Sequence, residues 1–431
     1  MVNPALGWWL GADAPGVFRA PALSPAALDS LARRRLGRLL VAAACTSFYR
    51  RRLVAAGVDA RDPSLVREPE RALAALAPVA KAELRQAGAS LLRGGGVSPA
   101  WMWSASSGST GEPFRVYYDA RAWATLKHLV KLRARVACGL RPAHRVALLD
   151  AVPSAPRTRG ARVARISVLQ RGSAIAAELA AFAPDAVYGL PSALLEAASA
   201  LRERGERLSI RRVFTSGELL RPGVRAAIAD AFGAQVFDVY GSSETKEIAW
   251  ECPEGGMHVN ADVIHLEVLD DDGAPVPTGT EGNLVATSLV NHAMPLLRYR
   301  IGDRGSLRPS RCACGRSLPL VGMVTGREAD MLVLADGRRV SPYVLTCALE
   351  RERSLLRYQV SQLDVSRLRV RAIVRPGVAR SLVADRVRTL MRTEVAPFVE
   401  TEVEFVDHLP TGPRAKFRVV HPLAVSAESR A

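Results

Sequence analysis

The feature that most constrains this 431-residue chain is an alternation of element types between residues 147 and 239. Ala147–Leu149, Ala186–Tyr188, Arg212–Thr215 and Gln235–Val239 are short apolar runs that read as buried strands. Helical patterns at Leu194–Arg204 and Val224–Phe232 separate them. Strands that alternate with helices need crossover connections, so the segment predicts α/β architecture with a largely parallel sheet. Around it the pattern changes. Residues 24–92 carry Leu28, Leu31, Leu36, Leu39 and Leu40 at helical spacing, and Gly94, Gly95 and Gly96 end that region in a loop. From Val263 to Ser306 the chain turns β-rich, with strands at His265–Leu269 and Glu281–Ser288 and a turn at Asp271–Gly273. After Gly326 the elements become smaller. Strands at Met331–Leu334, Leu368–Val374 and Glu402–Phe405 flank helices at Pro342–Glu352 and Ala379–Arg392. The expected organisation is a large multi-sheet α/β N-terminal domain over 1–325 and a small α+β C-terminal domain over 326–431, which the family resemblance described below implies is mobile. No internal repeat is visible, and the last ten residues read as frayed.

The formal charge of +17 invites a nucleic-acid reading, but its distribution argues against one. Only five of the 59 basic residues are lysines: Lys81, Lys127, Lys131, Lys246 and Lys416. The arginines are spread along the whole chain beside abundant alanine, as a compositional bias would place them. The densest spots, Arg33–Arg35 and Arg50–Arg52, fall on helical periodicity and read as solvated faces. No specific nucleic-acid partner is expected. The same bias makes lysine informative, because a guanidinium is bulkier and less adaptable than an ammonium. No run of eighteen apolar residues suggests a membrane span, and Met1–Ala20 lacks the pattern of a leader peptide, so the expected location is the cytoplasm. A disulfide framework is not expected there. Cys45, Cys138 and Cys347 lie in or near helical patterns and read as inert, largely buried thiols.

Ser104-Ala-Ser-Ser-Gly-Ser-Thr-Gly-Glu-Pro113 is the strongest local signal. Small residues let a backbone approach a ligand closely, and the amides and hydroxyls of Ser106, Ser107, Ser109 and Thr110 are suited to polyphosphate oxygens. No Gly-Lys-Ser/Thr follows, so this is not a Walker loop. An ordinary Ser/Gly turn is the competing reading.

Ser107-Gly108-Ser109-Thr110-Gly111 resembles the phosphate loop of the adenylate-forming (AMP-binding) superfamily, and the chain looks like its phenylacetate–coenzyme A ligase-like branch. Further segments resemble that branch in family order. They are Phe48-Tyr-Arg50 with Pro78-Val-Ala-Lys81, Thr215-Ser-Gly217-Glu218, Val239-Tyr240-Gly241-Ser242-Ser243-Glu244, Leu297-Arg-Tyr-Arg-Ile-Gly-Asp303, Gly326-Arg327 and Leu409-Pro-Thr-Gly-Pro-Arg-Ala-Lys416. The resemblance implies ATP-dependent conversion of an aryl or acyl carboxylic acid to an acyl-adenylate, with release of pyrophosphate. The acyl group then passes to coenzyme A; an amine or a carrier protein is the alternative acceptor. It implies that Ser106 to Gly111 hold the β- and γ-phosphates and that Glu244 binds Mg²⁺. Tyr240 stacks on adenine beside Gly217 and Glu218, and Asp303 accepts the ribose hydroxyls. Arg327 meets the nucleotide at the domain junction, and Lys416 serves the α-phosphate and the carboxylate. Taken singly, Asp303 also reads as a turn acid, Glu244 as a partner of Lys246 or an arginine, and Tyr240 as a core aromatic.

The chain departs from the family pattern at Ala329 and Ala415, where an acidic residue and a glycine are common, and at Glu112. Ala329 bears on the acyl-transfer half-reaction, because it lies at the expected hinge. Cys252, His258, Cys312 and Cys314 form a second constellation, whose three thiolates and one imidazole suit a tetrahedral structural Zn²⁺. Free cysteines with a surface histidine are the alternative. Trp101, Met102 and Trp103, or Tyr188-Gly-Leu-Pro191, are candidates for lining an apolar acyl pocket. No membrane partner is expected, and a homodimer is left open. A basic zinc-knuckle scaffold and an inactive homologue are the remaining alternatives.

Overall fold

The computed structural model describes residues 4–59, 63–105, 114–150, 160–327, 331–340, 342–409 and 417–423. The chain divides into two compact units, Met1–His144 with Phe237–Val324, and Arg145–Val236 with Thr325–Ala431.

The first unit opens with helix Pro4–Arg19, beyond the helical region the periodicity predicts, and continues with Pro25–Ala44, Ser47–Ala55, Ser64–Arg67, Pro69–Ala74 and Lys81–Ala87. Ser24 and Thr46 start two of these helices by accepting the amides of Ala27 and Tyr49, three residues on. Leu28, Leu36, Leu39, Leu40, Tyr49 and Leu53 are buried, as their spacing requires. Strands Met102–Ala105 and Arg115–Tyr118 pair antiparallel on either side of the Ser/Gly segment. A helical stretch follows from Ala120 to Ala137, with a π-helical section at Ala124–Leu129. The main sheet of this unit runs in the order Ile264–Leu269, Gly282–Ser288, Tyr299–Arg308, Leu320–Arg327, Met257–Val259, Lys246–Glu251 and Gln235–Ser242.

A charge cluster lies under this sheet. Arg133, 2% exposed, donates to both carboxylate oxygens of the fully buried Asp262 at 2.9 and 3.0 Å, to Asn260 Oδ1 at 2.6 Å and to the Val17 carbonyl at 2.9 Å. Arg35 adds a further contact to Asp262 at 3.3 Å. Arg35 therefore does not belong to a wholly solvated face, as its run of arginines suggests, although Arg33 and Arg34 do. Helical spacing turns one residue of three inward, and there it meets an acid more than two hundred residues away. Cys45 is a second correction. It follows helix Pro25–Ala44 as its cap residue and is exposed, not buried.

In the second unit, strands Arg212–Ser216, Ala186–Gly189, Val146–Asp150 and Val163–Ser167 lie side by side, all parallel. Helices Gly172–Phe182, Pro191–Glu203 and Pro222–Phe232 connect or follow them. Pro191 and Pro222 open their helices, where a missing amide costs nothing. Ile166, Val187, Val213, Ile175, Leu194 and Ile228 form the core of this α/β layer. After Thr325 come a short hairpin (Leu332–Val333 with Arg339–Val340), helix Pro342–Leu349, and a four-stranded sheet ordered Glu400–Phe405, Arg367–Val374, Leu355–Gln362, Val420–His421. Helix Arg380–Glu394 packs Val383, Val387 and Met391 into a separate core with Val360, Val370 and Leu349. Strand Leu355–Gln362 is absent from the sequence expectation. Its apolar residues alternate with arginine and glutamine, whose stems a sheet surface tolerates. Among the described residues no helix is long and apolar enough to cross a membrane.

Candidate active site

The site in the first unit is built on the reversal between strands Gln235–Ser242 and Lys246–Glu251, which pair antiparallel with a register shift at Tyr240 and Gly241. Ser242 caps the turn. Its Oγ accepts the amides of Glu244 at 3.2 Å and Thr245 at 3.0 Å and meets Thr245 Oγ1 at 2.9 Å. Gly241 cannot be replaced cheaply, because a Cβ there would lie 2.3 Å from the carbonyl oxygen of Lys246. The close approach of the two strands is what lets the turn fold back so tightly.

Tyr240 is half-buried, and its hydroxyl donates to Asp303 Oδ2 at 2.8 Å. The two residues expected at the adenine and at the ribose are thus neighbours, although 63 positions separate them. Glu244 is 5% exposed, and its carboxylate takes Lys81 Nζ at 2.9 Å. Its ion-pair partner is therefore Lys81, not Lys246 or an arginine. The Tyr118 hydroxyl donates to the Glu244 carbonyl at 2.6 Å, and burial raises the pKa of this phenol well above its ordinary range.

Lys246 has a left-handed backbone, φ 67°, uncommon for a residue with a side chain. Its Nζ donates to Ser104 Oγ at 2.5 Å and to the Ser243 carbonyl at 2.8 Å. The ammonium lies 4.8 Å from the centre of the Tyr118 ring and 5.6 Å from that of Trp123. Burial, reinforced by Lys127 and only partly opposed by Glu244, lowers its pKa to about 7. Glu247 is buried on the same strand, and neither carboxylate oxygen has a hydrogen-bond partner among the described residues. Burial raises its pKa, against the pull of Lys131, Arg135, Arg133 and Lys127.

In the second unit, Glu218 follows Gly217 at the end of strand Arg212–Ser216. Its carboxylate accepts Ser192 N at 2.9 Å, Ser192 Oγ at 3.0 Å and the amide of Phe417 at 3.2 Å. Arg327 ends strand Leu320–Arg327. The expected phosphate-loop residues Ser106, Ser107, Gly108, Ser109, Thr110 and Gly111 lie outside the described residues, as do Ala329, Ala415 and Lys416. Of the apolar candidates ahead of the loop, Trp103 is 53% exposed with Arg115 over its ring, whereas Trp101 packs on the core.

The second constellation also converges. The ligand atoms of Cys252, His258, Cys312 and Cys314 all lie within 4.8 Å of one another. Cys252 and His258 are buried and Cys312 and Cys314 half-buried. Cys252 Sγ is 3.5 Å from Cys312 Sγ, and His258 Nε2 is 3.1 Å from Cys314 Sγ. The edges of a tetrahedron drawn at zinc–sulfur distance measure roughly 3.7 Å, so the donor set is already near the spacing a single ion demands. Gly256 makes room, since a Cβ there would touch Cys312 Sγ at 2.6 Å. His258 Nδ1 faces the Leu318 carbonyl at 3.3 Å, which directs Nε2 toward the thiols. Burial lowers the His258 pKa, favouring the neutral ring a metal needs. Burial, with the Cys312 contact, raises the Cys252 thiol to about 11. Burial works the same way on Cys314, but main-chain and side-chain hydrogen bonds from Arg316 hold its pKa below normal.

Residues 102–290 match the model of the AMP-binding enzyme family. The chain is 31% identical over 256 residues to a phenylacetate–coenzyme A ligase of Thermus thermophilus, covering 53% of this chain and 55% of the relative. It is 32% identical over 256 residues, with the same coverage, to a phenylacetate–coenzyme A ligase of Aromatoleum evansii. Residues 102–290 thus resemble the AMP-binding enzyme family, and over about half its length the chain is similar to phenylacetate–coenzyme A ligases. It spans about half the length of the curated relatives it matches. Its fold is similar to that of a 2-hydroxyisobutyryl-coenzyme A ligase crystallised with an acyl-AMP, with a TM-score of 0.75 and 21% identity over 94% of this chain and 91% of the other. The adenylate-forming family match contains Tyr240, Gly241, Ser242, Ser243 and Glu244, while Asp303, Arg327 and Lys416 lie beyond it.

Three residues at this site escape sequence reasoning. Lys81 carries no assigned role there, and neither do Tyr118 and Lys246. The available signal was lysine itself. Two of only five lysines in the chain touch the same turn.

Proposed function

We propose that this adenylate-forming chain activates a carboxylic acid with ATP and passes the acyl group to coenzyme A. In the first step a carboxylate oxygen bonds to the α-phosphorus. The bond from that phosphorus to the oxygen bridging to the β-phosphate breaks, and pyrophosphate leaves. In the second step the coenzyme A sulfur attacks the acyl carbon and loses its proton, and the bond from that carbon to the adenylate oxygen breaks, releasing AMP. The observation that carries this reading is the meeting of Tyr240 and Asp303 at 2.8 Å one turn away from the buried Glu244. An aromatic ring and a buried acid at one reversal, with a second acid from strand Tyr299–Arg308 bound to the ring's hydroxyl, make up the parts of a nucleotide site.

In this reading Tyr240 stacks on the base while Asp303 accepts ribose hydroxyls and holds the phenol of Tyr240 in place. Ser106, Ser107, Gly108, Ser109, Thr110 and Gly111 cradle the β- and γ-phosphates, and Gly217 and Glu218 border the adenine. Arg327 meets the nucleotide, and Lys416 neutralises charge that grows at the α-phosphate. Glu244 would hold Mg²⁺, whose chemistry when bound is to offset charge on the phosphate oxygens. Lys81 pairs with that buried carboxylate at 2.9 Å and fixes how it is turned. The part of the chain from 326 onward acts as the mobile module that brings Lys416 to the first step and withdraws it for the second. Cys252, His258, Cys312 and Cys314 would hold one structural Zn²⁺, with all four positions taken by protein.

A second acceptor reading rests on the 32% identity, over 124 residues, to the indoleacetate–lysine synthetase of Pseudomonas savastanoi. There an amine nitrogen would replace the thiol. One experiment separates the readings. Exchange of labelled pyrophosphate into ATP is measured over a panel of aryl and short acyl acids, and coenzyme A or amines are then added and the product weighed. Acid-dependent exchange and a thioester mass are expected, and Lys416→Ala should lower exchange by orders of magnitude. No exchange with any acid would refute the ligase reading, and an amide instead of a thioester would refute coenzyme A.

A further inference from the structure

Lys246 is joined to the site by more contacts than any assigned role explains. Its Nζ reaches Ser104 Oγ at 2.5 Å and the Ser243 carbonyl at 2.8 Å. Ser104 sits on the strand that leads, in sequence, into the Ser/Gly segment, and Ser243 immediately precedes Glu244. Ser104 Oγ itself lies 2.9 Å from the Ser243 carbonyl, and the Tyr118 hydroxyl donates to the same carbonyl at 3.3 Å. Tyr118 belongs to the strand that returns from the Ser/Gly segment. Lys246 therefore stands where both strands flanking that segment meet the turn carrying Glu244. The rings of Tyr118 and Trp123 wall the ammonium in at 4.8 and 5.6 Å. The backbone at Lys246 is left-handed, φ 67°, which costs energy for a residue with a Cβ and persists where the surroundings demand it.

We infer that Lys246 is a positioning residue for Mg·ATP, a staple that sets the gap between strands Met102–Ala105 and Arg115–Tyr118 and the Glu244 turn. The inference rests on the ligase reading above. The reason for lysine follows from the cage. Two oxygen acceptors and two aromatic faces surround a point charge, and a planar guanidinium with its fixed fork is too wide for that space. The nucleotide's triphosphate has to span the two elements that Lys246 ties together. Its base and ribose instead meet Tyr240 and Asp303, while the hydrogen bonds of Lys246 go to Ser104 and Ser243. Loss of the staple must therefore weaken ATP far more than AMP.

The test compares Lys246→Met and Lys246→Arg with the wild-type chain. Methionine keeps the apolar stem, and arginine keeps the charge. Binding of Mg·ATP and of AMP is measured by calorimetry, with thermal melting as a control. Lys246→Met should melt close to the wild type and Lys246→Arg below it, and both should lose about ten- to a hundredfold in affinity for Mg·ATP, the size expected for charge-assisted hydrogen bonds, while AMP stays within about twofold. In pyrophosphate exchange the KM for ATP should rise and that for the acid should not. Ser104→Ala should reproduce part of the effect. Mg·ATP affinity unchanged in a well-folded Lys246→Met, equal losses for AMP and ATP, or full rescue by Lys246→Arg would each overturn the role of Lys246 and leave the ligase reading standing. A wild-type chain that binds neither nucleotide would overturn both.

Discussion

The buried ion pair between Arg133 and Asp262 offers a sharp test of how this unit is held together. Asp262 has no exposure, and Arg133 supplies hydrogen bonds to both of its oxygens while also satisfying Asn260 and the Val17 carbonyl. Removing the arginine as Arg133→Met leaves a carboxylate deep in protein with Arg35 alone at 3.3 Å. Breaking a buried pair from one side typically costs about 3–5 kcal/mol, and Arg35 should keep the value near the lower end, about 3 kcal/mol. For a unit of this size that corresponds to a fall of roughly 6–12 °C in Tm. Removing both charges, as Arg133→Met with Asp262→Leu, should recover most of the loss, because no uncompensated ion remains. Urea titration of the two single variants, the double variant and the wild type measures the coupling directly. A single variant that loses under about 1 kcal/mol, or a double variant as unstable as the two singles summed, would refute the argument.

Metal analysis of the purified chain should find about one zinc per molecule, and Cys314→Ser should lower that content; absence of metal with four freely titrating thiols would retire the site. Asp303→Asn, which takes the charged acceptor from the Tyr240 hydroxyl, should weaken AMP and ATP to a similar degree, the opposite of the Lys246 signature; unchanged AMP binding in calorimetry would remove Asp303 from the ribose. Gly241→Ala must move the Lys246 carbonyl from 2.3 Å, and overpacking of that kind costs roughly 1–3 kcal/mol; a wild-type melting curve would show that the two strands part easily.

Three of the four parallel strands, and helices Pro191–Glu203 and Pro222–Phe232, were legible because their signal is local; Val163–Ser167 and Gly172–Phe182 were not read. A buried parallel strand is a continuous apolar run, as Ala186–Gly189 and Arg212–Ser216 are, and a helix announces itself every three or four residues. The helical N-terminal region, the β-rich stretch after Val263 and the helix ending at Glu394 were readable for the same reason, and so were the four zinc-type ligands, whose chemistry few other combinations share. What sequence order alone determined was the inventory: which elements form, and which residue types are available to hold a nucleotide or a metal.

Tertiary structure alone decided who meets whom. Glu244 pairs with Lys81, not with Lys246 two places away, and Arg35 turns inward to Asp262 while Arg33 and Arg34 face water. Lys246 reaches Ser104 across 142 positions, and Tyr240 reaches Asp303 across 63. Periodicity says which way a side chain faces along its own element, but nothing about the partner waiting there. That choice is made when strands and helices distant in the chain pack together, and burial then turns each charge into a requirement for one particular neighbour.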